Sequence, residues 1–341
     1  MVFEHMGEES LTNVAVIGTG AMGSLFAAQL SSNAAVTIVG SWKNQLSAIE
    51  ESGLFLTDLE GNQTNHALAV GEYDSVEGPY QYAIILVKGW QTVRAAETVR
   101  EILAPDGLAV TLQNGLGHFE ILAALVGESH SAIGVTSEGA MIVGPGRTQH
   151  TGIGITHLGT SPATEKRLEK MARLLQRSGF ETRLTADLDG LVWGKLAINS
   201  GINPLTALLQ VRNGFLSTDV IARSLMCQAA EETAAVAKVQ GIRLPYVNAS
   251  EMIIDVAEAT AANRSSMAQD IARGAPTEIE SINGKVVHIA AEHGLEVTVN
   301  RVLYQLVKSQ IATGDWRSEI SKLPRGMRDQ FRYLANQGNH P

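Results

Sequence analysis

A single cysteine, Cys227, occurs in 341 residues. One thiol excludes an internal disulfide and a multi-cysteine zinc site, and it reads as a small buried hydrophobe. The nine histidines form no HExxH pair and no compact ligand set, so no metal is expected. No apolar run reaches the roughly 20 residues needed to span a bilayer, which argues against a membrane protein. Residues 1–10 (MVFEHMGEES) are acidic and lack an apolar segment. No signal peptide is therefore expected there, and the expected location is the cytoplasm. Positive charge is also short: 26 Lys and Arg face 35 Asp and Glu, a formal net charge of -9. A general nucleic-acid partner is thereby disfavoured. Any anionic substrate must be held by a local cluster of donors against the global field.

What remains is a soluble balance of 45% hydrophobic and 18% charged residues, in a chain too long for one ordinary core. Val14–Ile17 is a short apolar run, Gly18–Gly23 follows at once, Ser24–Leu30 reads as a helix and Ala35–Val39 as a second strand. This is the strand, glycine turn, helix, strand signature of a βαβ unit. Tyr82–Val87 and Leu108–Leu112 read as further strands, with a helix at Thr92–Leu103 between them. Ala132–Ile142 and Gly152–Leu158 read as later strands, joined at Gly144–Gly146 into a hairpin that extends the same sheet. Glu165–Arg177 is amphipathic and Glu181–Leu184 is a short strand. After Leu188 the strand signals stop, and helical periodicity runs to about Ala312. The expected fold class is α/β: an N-terminal Rossmann-type doubly wound sheet followed by an all-helical C-terminal domain. The expected divisions are a leader at 1–12, a nucleotide-binding domain at 13–187, a helical substrate domain at 188–313 and a tail at 314–341. That tail reads as a helical appendage or a partly mobile segment.

Gly18-Thr19-Gly20-Ala21-Met22-Gly23 fits the dinucleotide fingerprint. The first glycine permits the tight turn, the second lets backbone approach a pyrophosphate, and the third lets helix pack on strand. The helix N-terminus then presents free N–H groups to the phosphates. A carboxylate after the second strand would select NAD. Here the stretch is Gly40-Ser41-Trp42-Lys43. Ser41 and Lys43 are candidates for a 2′-phosphate, although Lys43 also suits plain solvation, and the expected cofactor is NADP(H).

Asn114 follows one strand and Lys88 follows another. Residues that end strands of a doubly wound sheet face its ligand crevice, so both are candidates for the cofactor site, and Asn114 also for the substrate. Lys195 and Asn199 stand four apart on one helix face, and Asn203 falls a turn later. Pro204 is expected to end that helix, which leaves Asn203 either as the cap of a following helix or as a substrate ligand. Asn263, Ser265, Ser266 and Glu278 form a second polar group. Capping and function are both open for its members.

Taken together, these motifs resemble ketopantoate reductase (2-dehydropantoate 2-reductase). The resemblance runs from about Asn13 to Ala312. It is carried by Val87-Lys88-Gly89-Trp90-Gln91, Gln113-Asn114-Gly115, Lys195 to Asn199 with Asn203-Pro204-Leu205-Thr206, Ser265-Ser266-Met267, and Pro276-Thr277-Glu278-Ile279 with Ile282-Asn283-Gly284. It implies NADPH-dependent reduction of ketopantoate to pantoate, towards pantothenate and coenzyme A. By the same resemblance Lys195 is the general acid, and Asn114 and Lys88 order the nicotinamide end and the substrate. Asn199, Asn203, Asn263 and Ser266 would hydrogen-bond the substrate, and Glu278 would hold its hydroxyl or orient Lys195. A small keto acid is the expected partner, with a homodimer left open. Two positions depart from the family pattern. Lys43 stands where an arginine is common, and Gly294–Thr298 replaces a proline-containing turn. Three other readings stay open: a reductase of another branched 2-keto acid, a 3-hydroxy acid dehydrogenase, and a non-catalytic NADP-binding sensor. The Pro276–Ile279 signature argues against the second, and Lys195 with Glu278 against the third.

Overall fold

A computed structural model describes residues 11–337. The expected leader at 1–12 therefore lies mostly outside the described residues, as do the last four residues of the tail. The chain forms two compact units. One comprises the chain up to Gln113 together with His118–Leu188, and the other joins Asn114–Gly117 to the chain from Asp189 onward.

In the first unit the strands are β1 (Asn13–Ile17), β2 (Ala35–Gly40), β3 (Leu54–Thr57), β4 (Gln63–His66), β5 (Ala69–Glu72), β6 (Tyr80–Ile85), β7 (Leu103–Thr111), β8 (Ser131–Thr136), β9 (Gly139–Gly144), β10 (Arg147–Gly152), β11 (Thr156–Gly159) and β12 (Thr182–Thr185). Its helices are α1 (Ala21–Leu30), α2 (Lys43–Ser52), α3 (Thr92–Ile102), α4 (His118–Val126) and α5 (Glu165–Arg177). Eight strands make one sheet in the order β12-β11-β8-β7-β6-β1-β2-β5. Its centre is parallel, with β1 between β2 and β6 and with β7 and β8 continuing outward. Val14, Ala15, Val16 and Ile17 are fully buried, as a parallel strand covered on both faces requires. One face packs α1 and α5 through residues such as Leu25, Phe26 and Leu168. The other packs α3 and α4 through Ala95, Val99 and Leu122.

The strands expected on either side of Gly144–Gly146 do pair in this sheet, where β8 and β11 run antiparallel, but the hairpin at that turn is formed by β9 and β10 and does not extend it. It belongs to a separate four-stranded sheet, β4-β3-β10-β9. The single strand expected over Ala132–Ile142 is two strands in different sheets. The Thr136 hydroxyl accepts the Glu138 N–H at 3.2 Å and turns the chain out of the first ladder. β3, β4 and β5 have no counterpart in the sequence reading, since Gln63–His66 is polar and Ala69–Glu72 carries almost no β-branched signal.

The second unit is helical: α6 (Asp189–Leu209), α7 (Asn213–Thr218), α8 (Val220–Val239), α9 (Ala249–Ala259), α10 (Ser266–Ala272), a π-turn at Glu280–Gly284, α11 (Lys285–Glu292), α12 (Thr298–Thr313) and α13 (Arg325–Gln337). No described helix is long and apolar enough to cross a membrane. The tail is helical and packed, with Trp316 and Phe331 buried in the core. The Trp316 indole N–H donates to the Leu208 carbonyl at 3.0 Å, satisfying one of the orphan acceptors at the end of α6.

Pro204 does not end its helix, contrary to expectation. α6 passes through it and stops at Leu209, and Gln210 follows in the left-handed region with φ 56°. A proline removes the N–H that would bond the carbonyl four residues earlier, here Ser200. That carbonyl is supplied from elsewhere: Asn283 Nδ2 donates to Ser200 O at 2.9 Å and to Asn300 Oδ1 at 2.9 Å. Asn300 in turn donates to the Ala229 carbonyl and the Glu232 carboxylate, both at 2.9 Å. The second carboxylate function of Glu232 is to accept the Val299 and Asn300 N–H groups and cap α12.

Asn283→Ala should lower stability by about 1–3 kcal/mol, because it leaves buried acceptors unpaired. In a Pro204→Ala background residue 204 regains its N–H, so the same substitution should cost less. Urea titration of the four proteins measures this. Equal losses in both backgrounds would show that the Asn283 bond does not serve the proline.

Candidate active site

The glycine loop leaves β1 at Gly18 and enters α1 at Ala21. Gly18 has φ +130°, and a Cβ there would lie 2.8 Å from the Leu86 carbonyl oxygen. A Cβ at Gly23 would lie 1.8 Å from the Gly18 oxygen, so the helix start packs directly on the turn. Gly20 differs, because a Cβ there would meet nothing within 4 Å. Internal packing does not require glycine at that position, whereas a ligand approaching the backbone does. Gly20 is the N-cap of α1 and provides no side-chain cap, so the first N–H groups of the helix are unclaimed by it. These features fit a dinucleotide pyrophosphate. Thr19 is buried, while Ala21 and Met22 are half-buried.

Beyond β2 the chain turns through Ser41 and Trp42 into α2, whose first residue is Lys43. All three side chains are exposed, and Ser41-Trp42-Lys43 contains no carboxylate. Lys88 lies after β6 and is half-buried. Beside it, Gln113 joins the ends of two neighbouring strands. Its Nε2 donates to the Val87 carbonyl at 3.0 Å and to the Thr92 hydroxyl at 2.8 Å, and Thr111 donates to its Oε1 at 3.0 Å. Sequence reasoning assigned no role to Gln113; its only signal was its place before Asn114.

Asn114–Gly117 packs with the second unit. Asn114 Nδ2 lies 3.4 Å from Glu278 Oε2, a long hydrogen bond, and the Leu116 N–H donates to the Ser281 carbonyl at 3.0 Å. Gly115 has φ +89°, and a Cβ there would lie 2.4 Å from the Ser281 oxygen. Any side chain at 115 would therefore push the loop off the Glu278–Ser281 segment and separate Asn114 from Glu278.

Lys195 is half-buried on α6, and Glu278 is buried at 6% exposure. Burial pushes the Lys195 ammonium down from its ordinary value to about 8, while the Glu278 charge acts in the opposite direction. Desolvation is the larger influence, as the depressed value shows. The structure thus brings Lys195, Glu278 and Asn114 into one polar group. Asn199 and Asn203 continue the Lys195 side of α6, half-buried and buried respectively. Because α6 continues through Pro204, Asn203 is an interior helix residue and not a cap.

At the start of α10 the capping hydroxyl is that of Ser265, which accepts the Ala268 N–H at 3.1 Å and the Thr206 hydroxyl at 2.7 Å. Ser266 and Asn263 are exposed. The Asn263 carbonyl accepts the Asn213 N–H at 2.9 Å. Among the described residues there is no group of three or more His, Cys, Asp or Glu able to hold a metal.

Two family models match the chain. "Ketopantoate reductase PanE/ApbA" matches residues 14–163, and "Ketopantoate reductase PanE/ApbA C terminal" matches 187–310. The chain belongs to the ketopantoate reductase family. It is 35% identical to a 2-dehydropantoate 2-reductase of Halobacterium salinarum over 301 residues, 86% of this chain and 97% of that one. The family's solved structures include a PanE/ApbA family ketopantoate reductase from Ralstonia eutropha JMP134. That structure matches with TM-score 0.81 and 28% identity, over 88% of this chain and 99% of its own. A D-mandelate dehydrogenase, solved with NADH and anilino(oxo)acetate, matches with TM-score 0.83 and 25% identity, over 89% and 99%. The matched ketopantoate reductase regions contain the glycine loop, Asn114, Lys195 and Glu278.

Glu278→Gln removes the one influence that holds the Lys195 proton on. Lys195 should then titrate below its value of about 8. NMR titration of isotope-labelled lysine in the two proteins reads this directly. A Lys195 resonance that titrates at the same pH or higher in the variant would show that the two charges do not interact.

Proposed function

We propose that this chain reduces ketopantoate (2-dehydropantoate) to pantoate with NADPH. The observation that carries the reading is the desolvated Lys195 ammonium, pushed to about 8 beside the buried Glu278 in a ketopantoate reductase scaffold. A carbonyl reduction needs a proton donor matched to neutral pH, and a lysine at its ordinary value is a poor one. Each unit contributes one function. The first offers the Gly18–Gly23 loop to a pyrophosphate, and Ser41 and Lys43 to a 2′-phosphate. The second offers Lys195, Glu278 and the α6 asparagines to a small anion.

When bound, NADPH supplies a hydride to the keto carbon. Negative charge then grows on the carbonyl oxygen. Lys195 stabilises that charge and donates a proton to the oxygen, which leaves a hydroxyl group and a neutral amine. Glu278 keeps the ammonium protonated until that moment, and it is also the acceptor available to the substrate's terminal hydroxyl. Asn114 donates a long hydrogen bond to Glu278. Asn199, Asn203, Asn263 and Ser266 are the remaining proposed substrate ligands, and Lys88 the remaining cofactor ligand. The preference for NADPH rests on the absence of a carboxylate in Ser41-Trp42-Lys43. The reading includes a cytoplasmic location and leaves a homodimer open. A second reading, reduction of another 2-keto acid with NADH, is favoured by the likeness to D-mandelate dehydrogenase.

Lys195→Ala should keep the fold and NADPH binding and lose roughly 100- to 10,000-fold in kcat, the usual contribution of a general acid. A variant retaining more than about a tenth of wild-type kcat would move the acid elsewhere. The substrate is tested by kcat/KM for ketopantoate, 2-ketoisovalerate and benzoylformate, each with NADPH and NADH. A site that pairs a hydroxyl strongly rejects analogues without one, whereas a methyl-sized pocket discriminates by only about 1–3 kcal/mol. Ketopantoate with NADPH should therefore lead by a large factor. A lead for benzoylformate with NADH would establish the second reading instead.

A further inference from the structure

The chain is acidic overall, with net charge -9, yet one concave site in the first unit is strongly basic. A pocket of about 660 Å³ is lined by Arg167, Lys170, Arg173 and Arg177 of α5, against Asp106 and the buried Tyr82. Thr12 stands just before β1, Tyr82 pairs with Val14, and Asp106 precedes the Leu108–Tyr82 pairing. The pocket therefore lies at the amino-terminal edge of the central strands. The glycine loop lies at their carboxyl-terminal edge. Nothing in the proposed reaction uses this site.

The four cations come from one face of one helix. Over the ten helical steps from Arg167 to Arg177 they spread along about 15 Å. Arg167 is held in place by neutral acceptors, the carbonyls of Gly107, Ser129 and Ala163. Its charge is oriented by these bonds and not cancelled. Arg173 has a loose 3.8 Å ion pair with Glu169, and both side chains are well exposed, so that pair is weak. Asp106 is the one carboxylate lining the pocket. The Tyr82 hydroxyl donates to the Arg167 carbonyl at 3.4 Å and feels the charges of Arg167, Asp106 and Arg173 together, which places them around a common point.

We propose that this pocket is a binding site for a small linear polyphosphate. Its volume is that of a small-molecule site. The guanidinium forks of Arg173 and Arg177 match phosphate oxygens in pairs, Arg167 adds its oriented charge, and a row of cations this long exceeds what one phosphate can span. The walls offer no exposed aromatic face on which a base could stack, since Tyr82 and Leu174 are buried. Recognition is therefore by charge along the row. A mixed field in an acidic protein concentrates a polyanion at this spot and repels it elsewhere.

The test is calorimetric titration of the full chain with sulfate, pyrophosphate and tripolyphosphate at low salt. Affinity should rise along that series, and tripolyphosphate should raise the melting temperature by mass action. Lys170→Gln with Arg173→Gln should weaken tripolyphosphate at least about tenfold, the loss of charge-assisted contacts. With the chain saturated with NADP, Arg94→Gln on α3, at the other face of the sheet, should leave tripolyphosphate affinity unchanged. Arg177→Gln alone provides a milder second variant should the double substitution fail to fold. The proposal is overturned by a flat anion series, by affinity insensitive to the α5 substitutions, or by affinity lost in Arg94→Gln.

Discussion

A proline inside α6 leaves the Ser200 carbonyl without its helical donor, and the second unit is organised around replacing it. Asn283 supplies the missing bond from the π-turn, Asn300 braces Asn283 from α12, and Asn300 is itself tied to α8 through Ala229 and Glu232. Four elements are thereby pinned to one point. Lys195 lies five residues before Ser200, and Glu278 five before Asn283. The bond between Ser200 and Asn283 thus sets the height of one charged side chain against the other. The same segment accepts the Leu116 N–H at Ser281, which brings Asn114 to Glu278. Lys195, Glu278 and Asn114 are positioned by hydrogen bonds between backbone and amide side chains, in an otherwise apolar core.

The first unit was legible where local pattern and tertiary demand agree. Val14–Ile17 is apolar because a central parallel strand is covered on both faces, and the glycine spacing after it follows from sterics within a few residues. Legibility failed where partners are distant. Gln63–His66 is a strand because β3 lies beside it, and nothing in its polar sequence announces that. The run Ala132–Ile142 looked continuous because its residues suit strands throughout. The break depends on a threonine hydroxyl capturing a backbone N–H two residues on. Pro204 was misread for a similar reason. The local rule that a proline ends a helix holds unless a side chain far along the chain serves the freed carbonyl, and here that side chain is 79 positions away.

The candidate site divides in the same way. Lys195, Asn199 and Asn203 share a helix face by spacing alone, and Gly18–Gly23 declares its own use. That Glu278 and Asn114 meet, and that burial outweighs the carboxylate at Lys195, depends on packing that no spacing encodes. Ser265 and Ser266 are adjacent and chemically alike, and only the helix phase separates the buried cap from its exposed neighbour.

Lys195 also makes folding answer to alkali in an unusual direction. Its proton is held less tightly in the folded chain, where it is lost near 8, than in the unfolded chain, where it is lost near 10.5. Below about 8 both states keep the proton, and the folded state bears the whole cost of a desolvated ammonium. Between those two values the unfolded chain binds more protons, so this residue alone makes the fold more stable as pH rises. Above them the cost is gone. The buried ammonium is thus a standing strain on the helical core at neutral pH. Glu278 lowers that strain, so the two parts of its role, holding the charge and tolerating it, are one interaction.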